Sequence, residues 1–151
     1  RGPSVRFNIG FPGRYMPSHR MHLKGPWEVF AIPGSDQPCE IRTVTMPQSW
    51  RTLFGSVAGT ARFRRAFHRP TNLDPHETVW IVLTEVGGTG RVWLNDQPCG
   101  TFDALSASPP RFEITHHLKP RNHLIVEVTF DPGSTTAEGG LYGAVALEIV
   151  S

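Results

Sequence analysis

The chain has no apolar run approaching the ~20 residues that a membrane-spanning helix needs. Its longest run is Val-Trp-Ile-Val-Leu at 79–83. It has no strong charge of either sign. Fifteen Lys and Arg against thirteen Asp and Glu leave +2 over 151 residues, too little imbalance to imply a nucleic acid or an anionic membrane as partner. Cysteine is scarce. Cys39 and Cys99 do not make a thiolate zinc site by themselves. They read as two unpaired thiols at strand edges, with a disulfide as the alternative that sequence leaves open. No signal peptide is expected, because Arg1-Gly-Pro-Ser4 leads into a strand-like alternation rather than an apolar stretch. The compartment stays open, an exported or periplasmic one included.

Catalytic signatures are also missing. There is no Gly-x-Ser-x-Gly elbow, no phosphate-binding loop and no His-Glu-x-x-His. Val86-Gly-Gly-Thr-Gly90 is glycine-rich, but a phosphate cradle needs a helix N-terminus behind it. A flexible hairpin between two strands is the better reading. Seven histidines are present, yet His19-x-x-His22 share a face only on a helix, and His116-His117 point apart in an extended chain. They read as solvated or capping side chains rather than a zinc site. The acids are scattered, with no recognisable pair of the kind that flanks a glycosidic bond.

What is abundant is glycine, proline and alternation. Fifteen Gly and fourteen Pro do not fit a helical bundle and do fit short strands joined by turns. Val5, Phe7, Ile9 and Phe11 alternate with polar or small residues, and so do stretches at 27–32, 41–45, 61–68, 124–130 and 145–149. Residues 78–84 are apolar on both faces and read as a central, doubly covered strand. Residues 91–95 and 99–102 flank a polar hairpin tip. Single helical turns fit 48–54 and 114–118. The expectation is an all-β sandwich of about ten strands in one domain over 1–151, with 10–13, 69–75, 106–110 and 131–140 as loops.

Arg65 stands out. If Phe63 and Phe67 face inward, alternation turns Arg65 inward too. It should then be largely covered and paired with a carboxylate or with backbone carbonyls.

Six segments, in order, carry a resemblance. They are Leu23-Lys-Gly-Pro-Trp27-Glu-Val, Met46-Pro-Gln-Ser-Trp50, Ala61-Arg-Phe-Arg-Arg-Ala-Phe67, and Val92-Trp-Leu-Asn-Asp96 followed by Gly100. The fifth is Phe112-Glu-Ile-Thr115 with Leu118-Lys-Pro and Asn122-His-Leu124, and the sixth is Gly139-Gly-Leu-Tyr-Gly-Ala-Val145. Together they resemble the N-terminal sugar-binding domain of glycoside hydrolase family two, the β-galactosidase and β-glucuronidase family, over about 23–150. The resemblance implies a galactose-binding-like jelly roll of two antiparallel sheets. It also implies a non-catalytic accessory or carbohydrate-binding role, because the family's catalytic acids sit on a separate barrel domain that this chain lacks. The sequence departs from the family pattern at 103–110, where only the acid Asp103 matches, and at Gly143, where an Arg is usual.

The candidate sugar-binding residues are Asp103 as a hydroxyl acceptor, Glu138 in the loop before the last strand, and Arg62, Trp50 and Tyr142 as donors or stacking surfaces. Trp27 and Trp93 are assigned to packing against the sheets or against a partner domain. No catalytic residue and no cofactor is expected. The one metal left open is a structural calcium ion near Asp131 and Glu138. The partners considered are a galactoside- or glucuronide-type carbohydrate, or another protein domain with no sugar involved. A stand-alone hydrolase is the weakest of the three readings.

Overall fold

A computed structural model describes residues 4–5, 18–31, 40–106 and 108–151. Expectations for the alternation at 7–11, the loop at 10–13 and Cys39 lie outside the described residues. Among the described residues, eleven strands form two antiparallel sheets. One sheet runs β1 (Ser4–Val5), β2 (Ser18–His22), β11 (Val145–Val150), β6 (Thr78–Leu83), β9 (Arg111–Glu113) in spatial order. The other runs β4 (Arg42–Val44), β3 (Trp27–Ala31), β5 (Gly59–His68), β10 (Arg121–Phe130), β7 (Thr89–Leu94), β8 (Gln97–Asp103). The all-β sandwich expected from alternation is the fold observed.

Period-two burial builds the core. Val79, Ile81, Leu83, Leu147 and Ile149 from the first sheet meet Trp27, Val29, Phe63, Leu124, Val126, Val128, Val92 and Leu94 from the second. Strand β6 is an interior strand, paired with β11 and β9. Its outer-face Val82 is buried and Trp80 half-buried, the latter beneath the Arg111 guanidinium at 4.4 Å from the ring centroid.

The two helical turns form at α1 (Trp50–Phe54) and as a 3-10 turn over Thr115–His117. Ser49 caps α1, its hydroxyl accepting from the Thr52 amide at 3.2 Å. The β7–β8 hairpin turns on Asn95 and Asp96, with φ of 52° and 69°, the mirror-type turn that matches strand twist. One expectation is corrected. The glycine-rich 86–90 segment is not a hairpin, because β6 and β7 belong to different sheets, so the segment crosses between layers. No helix follows it.

Several of the segments that carry the resemblance act as structural ties. Leu23 donates to the Val145 carbonyl at 2.8 Å, and its own carbonyl accepts the Trp27 indole N–H at 2.6 Å. The segment thus passes from one sheet to the other without an orphaned polar group. Asn122 is fully buried and bonds Lys119 N, Lys119 O and the Asn95 amide at 2.8, 2.8 and 3.0 Å. Those contacts fix the turn before β10.

Arg65 does share the inner side of β5 with Phe63 and Phe67, which are buried. It pairs in register with the buried Leu124. Its guanidinium donates to the Ala66 carbonyl, and burial lowers its pKa. It is only half-buried and has no carboxylate partner among the described residues, where of the two pairings expected the backbone carbonyl is the one made.

Candidate functional site

Register gathers most long loops at one end of the sandwich. Thr89 pairs with Asp103, Thr89 also faces Thr129, Phe130 faces Gly59, and Val145 faces Leu83. The ends of β6, β8 and β10, and the starts of β5, β7 and β11, therefore lie together. The loops at 84–88, 104–106, 108–110 and 131–144 form a rim there, joined by α1 and residues 55–58. Gly87 and Gly140 exchange two backbone hydrogen bonds of 3.0 Å each, and the Gly139 carbonyl accepts from Trp50 N at 2.9 Å. These bonds tie three of the rim segments into one body.

Asp103 ends β8 and is exposed, its Oδ1 accepting from the Leu105 amide at 2.9 Å. It lines a hollow of about 180 Å³ with Thr101, Ser106, Ser108 and Arg111. Tyr142, half-buried, lines an adjoining hollow of about 180 Å³ with Thr84, Glu85, Ser106 and Ser108. The two share Ser106, Ser108 and Pro110, so the structure brings Asp103 and Tyr142 to one hydroxyl-rich stretch of rim. Glu138 lies elsewhere on the rim, 3.6 Å from Arg51 across an open recess of about 700 Å³. Each of these three hollows has a single described carboxylate in its lining.

Two candidates are corrected. Trp50 is not a stacking surface. It is 2% exposed, donates its indole N–H to the Val57 carbonyl at 2.8 Å, and packs on Phe54 and Phe130 at 4.7 and 5.8 Å. Helix α1 turns its apolar face into the sandwich, which takes the ring with it. Arg62 is not on the rim. It lies on the outer face of the six-stranded sheet, bonded to Glu127 at 3.0 Å and over the Trp93 ring at 5.4 Å. Trp93, assigned to packing, covers that outer face half-buried, whereas Trp27 fills the core.

The rim feature that sequence reasoning missed is Arg51. Its guanidinium donates to the carbonyls of Pro132, Thr135 and Ala137 at 3.0, 2.9 and 2.9 Å. It thereby holds the 131–138 loop against α1. Its acceptors are main-chain oxygens about 80 positions away, and no side-chain pattern announces them. Asp131 is likewise engaged locally, its Oδ1 accepting from Gly133 N at 2.9 Å. Among the described residues no group of three or more His, Cys, Asp or Glu converges. Cys99 is a free thiol, half-buried, with its pKa raised by burial.

Glu127 and Glu148 were unremarkable in the sequence, yet each anchors a triad. Glu127 faces Arg62 and Arg91 across both neighbouring strands, at 3.0 and 2.9 Å. Glu148 meets Arg20 at 3.0 Å and Arg111 in a close contact. Burial, the largest single effect, pushes both carboxyls up. The paired arginines together outweigh it and hold both below the ordinary carboxylate range. A depressed folded-state pKa stabilises fully above the unfolded value of roughly 4.3 and is lost as pH falls through the folded value. The melting temperature should therefore be flat with respect to these groups above about pH 5 and fall in acid. Glu127→Gln should cost about 1 kcal/mol at pH 7, given half-exposed arginines, and shallow the acid limb. An unchanged acid limb in thermal scans from pH 3 to 8 would refute this account.

No family model matches the sequence, and no curated protein matches it. Solved structures do. The chain is similar to an FMN-binding β-glucuronidase from Facaelibacterium prausnitzii L2-6, with a TM-score of 0.71 and 23% identity over 87% of this chain and 22% of that one. A putative β-galactosidase from Bacteroides fragilis matches with a TM-score of 0.71 and 20% identity over 87% of this chain and 23% of that one. A β-glucuronidase from Ruminococcus gnavus in complex with uronic isofagomine matches with a TM-score of 0.72 and 14% identity over 88% and 29%. The shared feature is the fold, and the chain spans under a third of the length of these proteins.

Proposed function

We propose that this chain is one sandwich domain, a non-catalytic carbohydrate-binding or accessory domain of a larger protein similar to family-two glycoside hydrolases. Its rim is the functional surface, with Asp103 and Tyr142 presented to sugar hydroxyls beside Ser106 and Ser108. The observation that carries the reading is the chemistry of the rim. Exposed acceptors and hydroxyls line adjoining shallow hollows, a setting suited to the recognition of sugar hydroxyls. The fold shared with parts of β-glucuronidases and a β-galactosidase supports the same context.

A second reading has its own observation. Among the described residues, the large hydrophobic side chains that stand exposed are Leu105 (93%), Val57 (66%) and Ile41 (54%). Leu105 and Val57 lie in rim loops. Ile41 precedes Arg42, which pairs with Val29 near the same end. Apolar side chains collected on one end suit contact with another domain, so the rim also serves the reading as an interdomain module without sugar affinity.

Titration of the chain with galactosides and glucuronides, followed by amide NMR shifts, separates the two. Carbohydrate binding predicts saturable shifts at 103–108 and 142, weakened by Asp103→Ala. Flat titrations with every sugar favour the interdomain module. Turnover of a chromogenic glycoside by this chain alone would refute a non-catalytic role.

A further inference from the structure

The end of the six-stranded sheet opposite the rim holds a further hollow, of about 460 Å³, lined by Pro26, Arg65, Ala66, Phe67, His68 and Arg121. Its place follows from register, since His68 pairs with Arg121 at the far end of β5 and β10 from Gly59 and Phe130. Its described lining contains two arginines and a histidine and no carboxylate. Arg42 of β4 is also without a described carboxylate and bonds the Leu53 carbonyl instead, but six other arginines of the sheets and rim do have an acid. Arg20, Arg51, Arg62, Arg64, Arg91 and Arg111 each have an acidic partner. Arg65 and Arg121 have none among the described residues.

Arg65 is the unexplained group. It sits on the core-facing side of β5, where alternation would place an apolar residue. Its Nε is the only buried side-chain polar atom among the described residues without a hydrogen-bond partner. The one protein contact of its fork is the Ala66 carbonyl. A lone guanidinium turned inward is costly, and an apolar side chain of similar length would pack there at least as well. Arg65 lines the hollow and has no counter-ion among the described residues, and a guanidinium so placed is suited to a planar oxyanion, which its fork can grip through two parallel hydrogen bonds. Phe67 and Pro26 supply an apolar wall for the body of such a ligand, and the volume lies within the range of small-molecule sites.

We propose that this hollow binds a small organic oxyanion, a carboxylate or phosphate on a compact polar body, through Arg65 and Arg121 with His68 at its edge. The site is separate from the rim, so it stands or falls independently of the sugar titration above. The test titrates the chain at fixed ionic strength with inorganic phosphate, with glucuronate and with neutral glucose, following the amides of 65–68 and 121. Saturable shifts with phosphate, glucuronate or both, and none with glucose, are expected, and the tighter of the two identifies the anion class. Arg65→Met and Arg121→Ala should each weaken binding about tenfold or more, the loss of a charge-assisted hydrogen bond. Arg65→Met should leave the melting temperature unchanged or raised, which a purely structural arginine would not. Arg121 is exposed, so its variant tests the site even if Arg65→Met fails to fold. Absence of saturable shifts with either anion, equal shifts with glucose, or undiminished binding by the variants would overturn the proposal.

Discussion

Truncating Trp27 to alanine is expected to lower stability by about 4 kcal/mol, in the range for removing a large aromatic from a core. Trp27 is fully buried, so the vacated volume is lined by side chains of both sheets and has no route to solvent. A second loss adds to the cavity. The Leu23 carbonyl, at 2.6 Å from the indole nitrogen, is left without that donor just where the chain passes from β2 to β3. At about 2–4 °C per kcal/mol for a chain of this size, the melting temperature should fall by roughly 8–16 °C. Trp27→Phe separates the two contributions, because it keeps most of the ring while removing the donor, and about 1–2 kcal/mol is expected. Calorimetry of the three proteins checks both steps. A Trp27→Ala protein melting within 2 °C or so of the parent would show that the indole does not join the sheets.

The second large effect is expected at Gly87. A Cβ there would lie 2.0 Å from the Glu138 carbonyl oxygen and 2.6 Å from the Gly139 Cα. Both are backbone atoms, which have no rotamer by which to withdraw. The Gly87–Gly140 pair of hydrogen bonds must open, and with it the clasp between the 84–88 and 131–144 loops. Gly87→Ala should therefore cost about 3 kcal/mol, the upper part of the usual range for overpacking. The damage should be local. Amide exchange at 87 and 140, and proteolysis within 131–138, should accelerate, while β5 and β10 amides remain protected. Gly59→Ala, where a Cβ meets nothing within 4 Å, is the control and should melt with the parent. If Gly87→Ala matches that control, the rim is not held by this clasp, and the arrangement of Asp103 and Tyr142 on a rigid rim loses its support.

The two predictions bear on function through the same link. Trp27 joins the sheets that carry the rim loops, and Gly87 joins the loops themselves. Arg51 completes the set by gripping three carbonyls of the 131–138 segment. Recognition by a rim of loops requires that those loops be pre-ordered, and here backbone contacts and one arginine supply the order.

Much of the fold was legible because strand burial has a period of two that needs no tertiary information. The alternation in 124–130 and 145–149 placed β10 and β11, the Asn95-Asp96 tip placed the β7–β8 hairpin, and the single turn read over 48–54 placed α1. Asp103 and Tyr142 were legible as loop polar groups, though only the shared Ser106 and Ser108 made them neighbours. Trp50 was misjudged because a single helical turn can aim a ring either way, and only packing against Phe54 and Phe130 chose the inward one. Arg62 was misjudged because its partner Glu127 is set by the register of β5 on β10, 65 positions away in sequence. The 86–90 segment was misread because a glycine-rich link between strands has the same composition whether the strands pair or lie in different layers.

By itself, then, the sequence determined the class of fold, the inward direction of Arg65 and the residues that ring the strand ends. These follow from alternation and turn chemistry, which act over a few residues. Which acid meets which arginine, which loops share a rim, and that Arg65 bonds a backbone carbonyl rather than a described carboxylate were decided by sheet register and loop packing. Those contacts join positions far apart in the chain, and their free energy depends on three-dimensional proximity that no local pattern encodes.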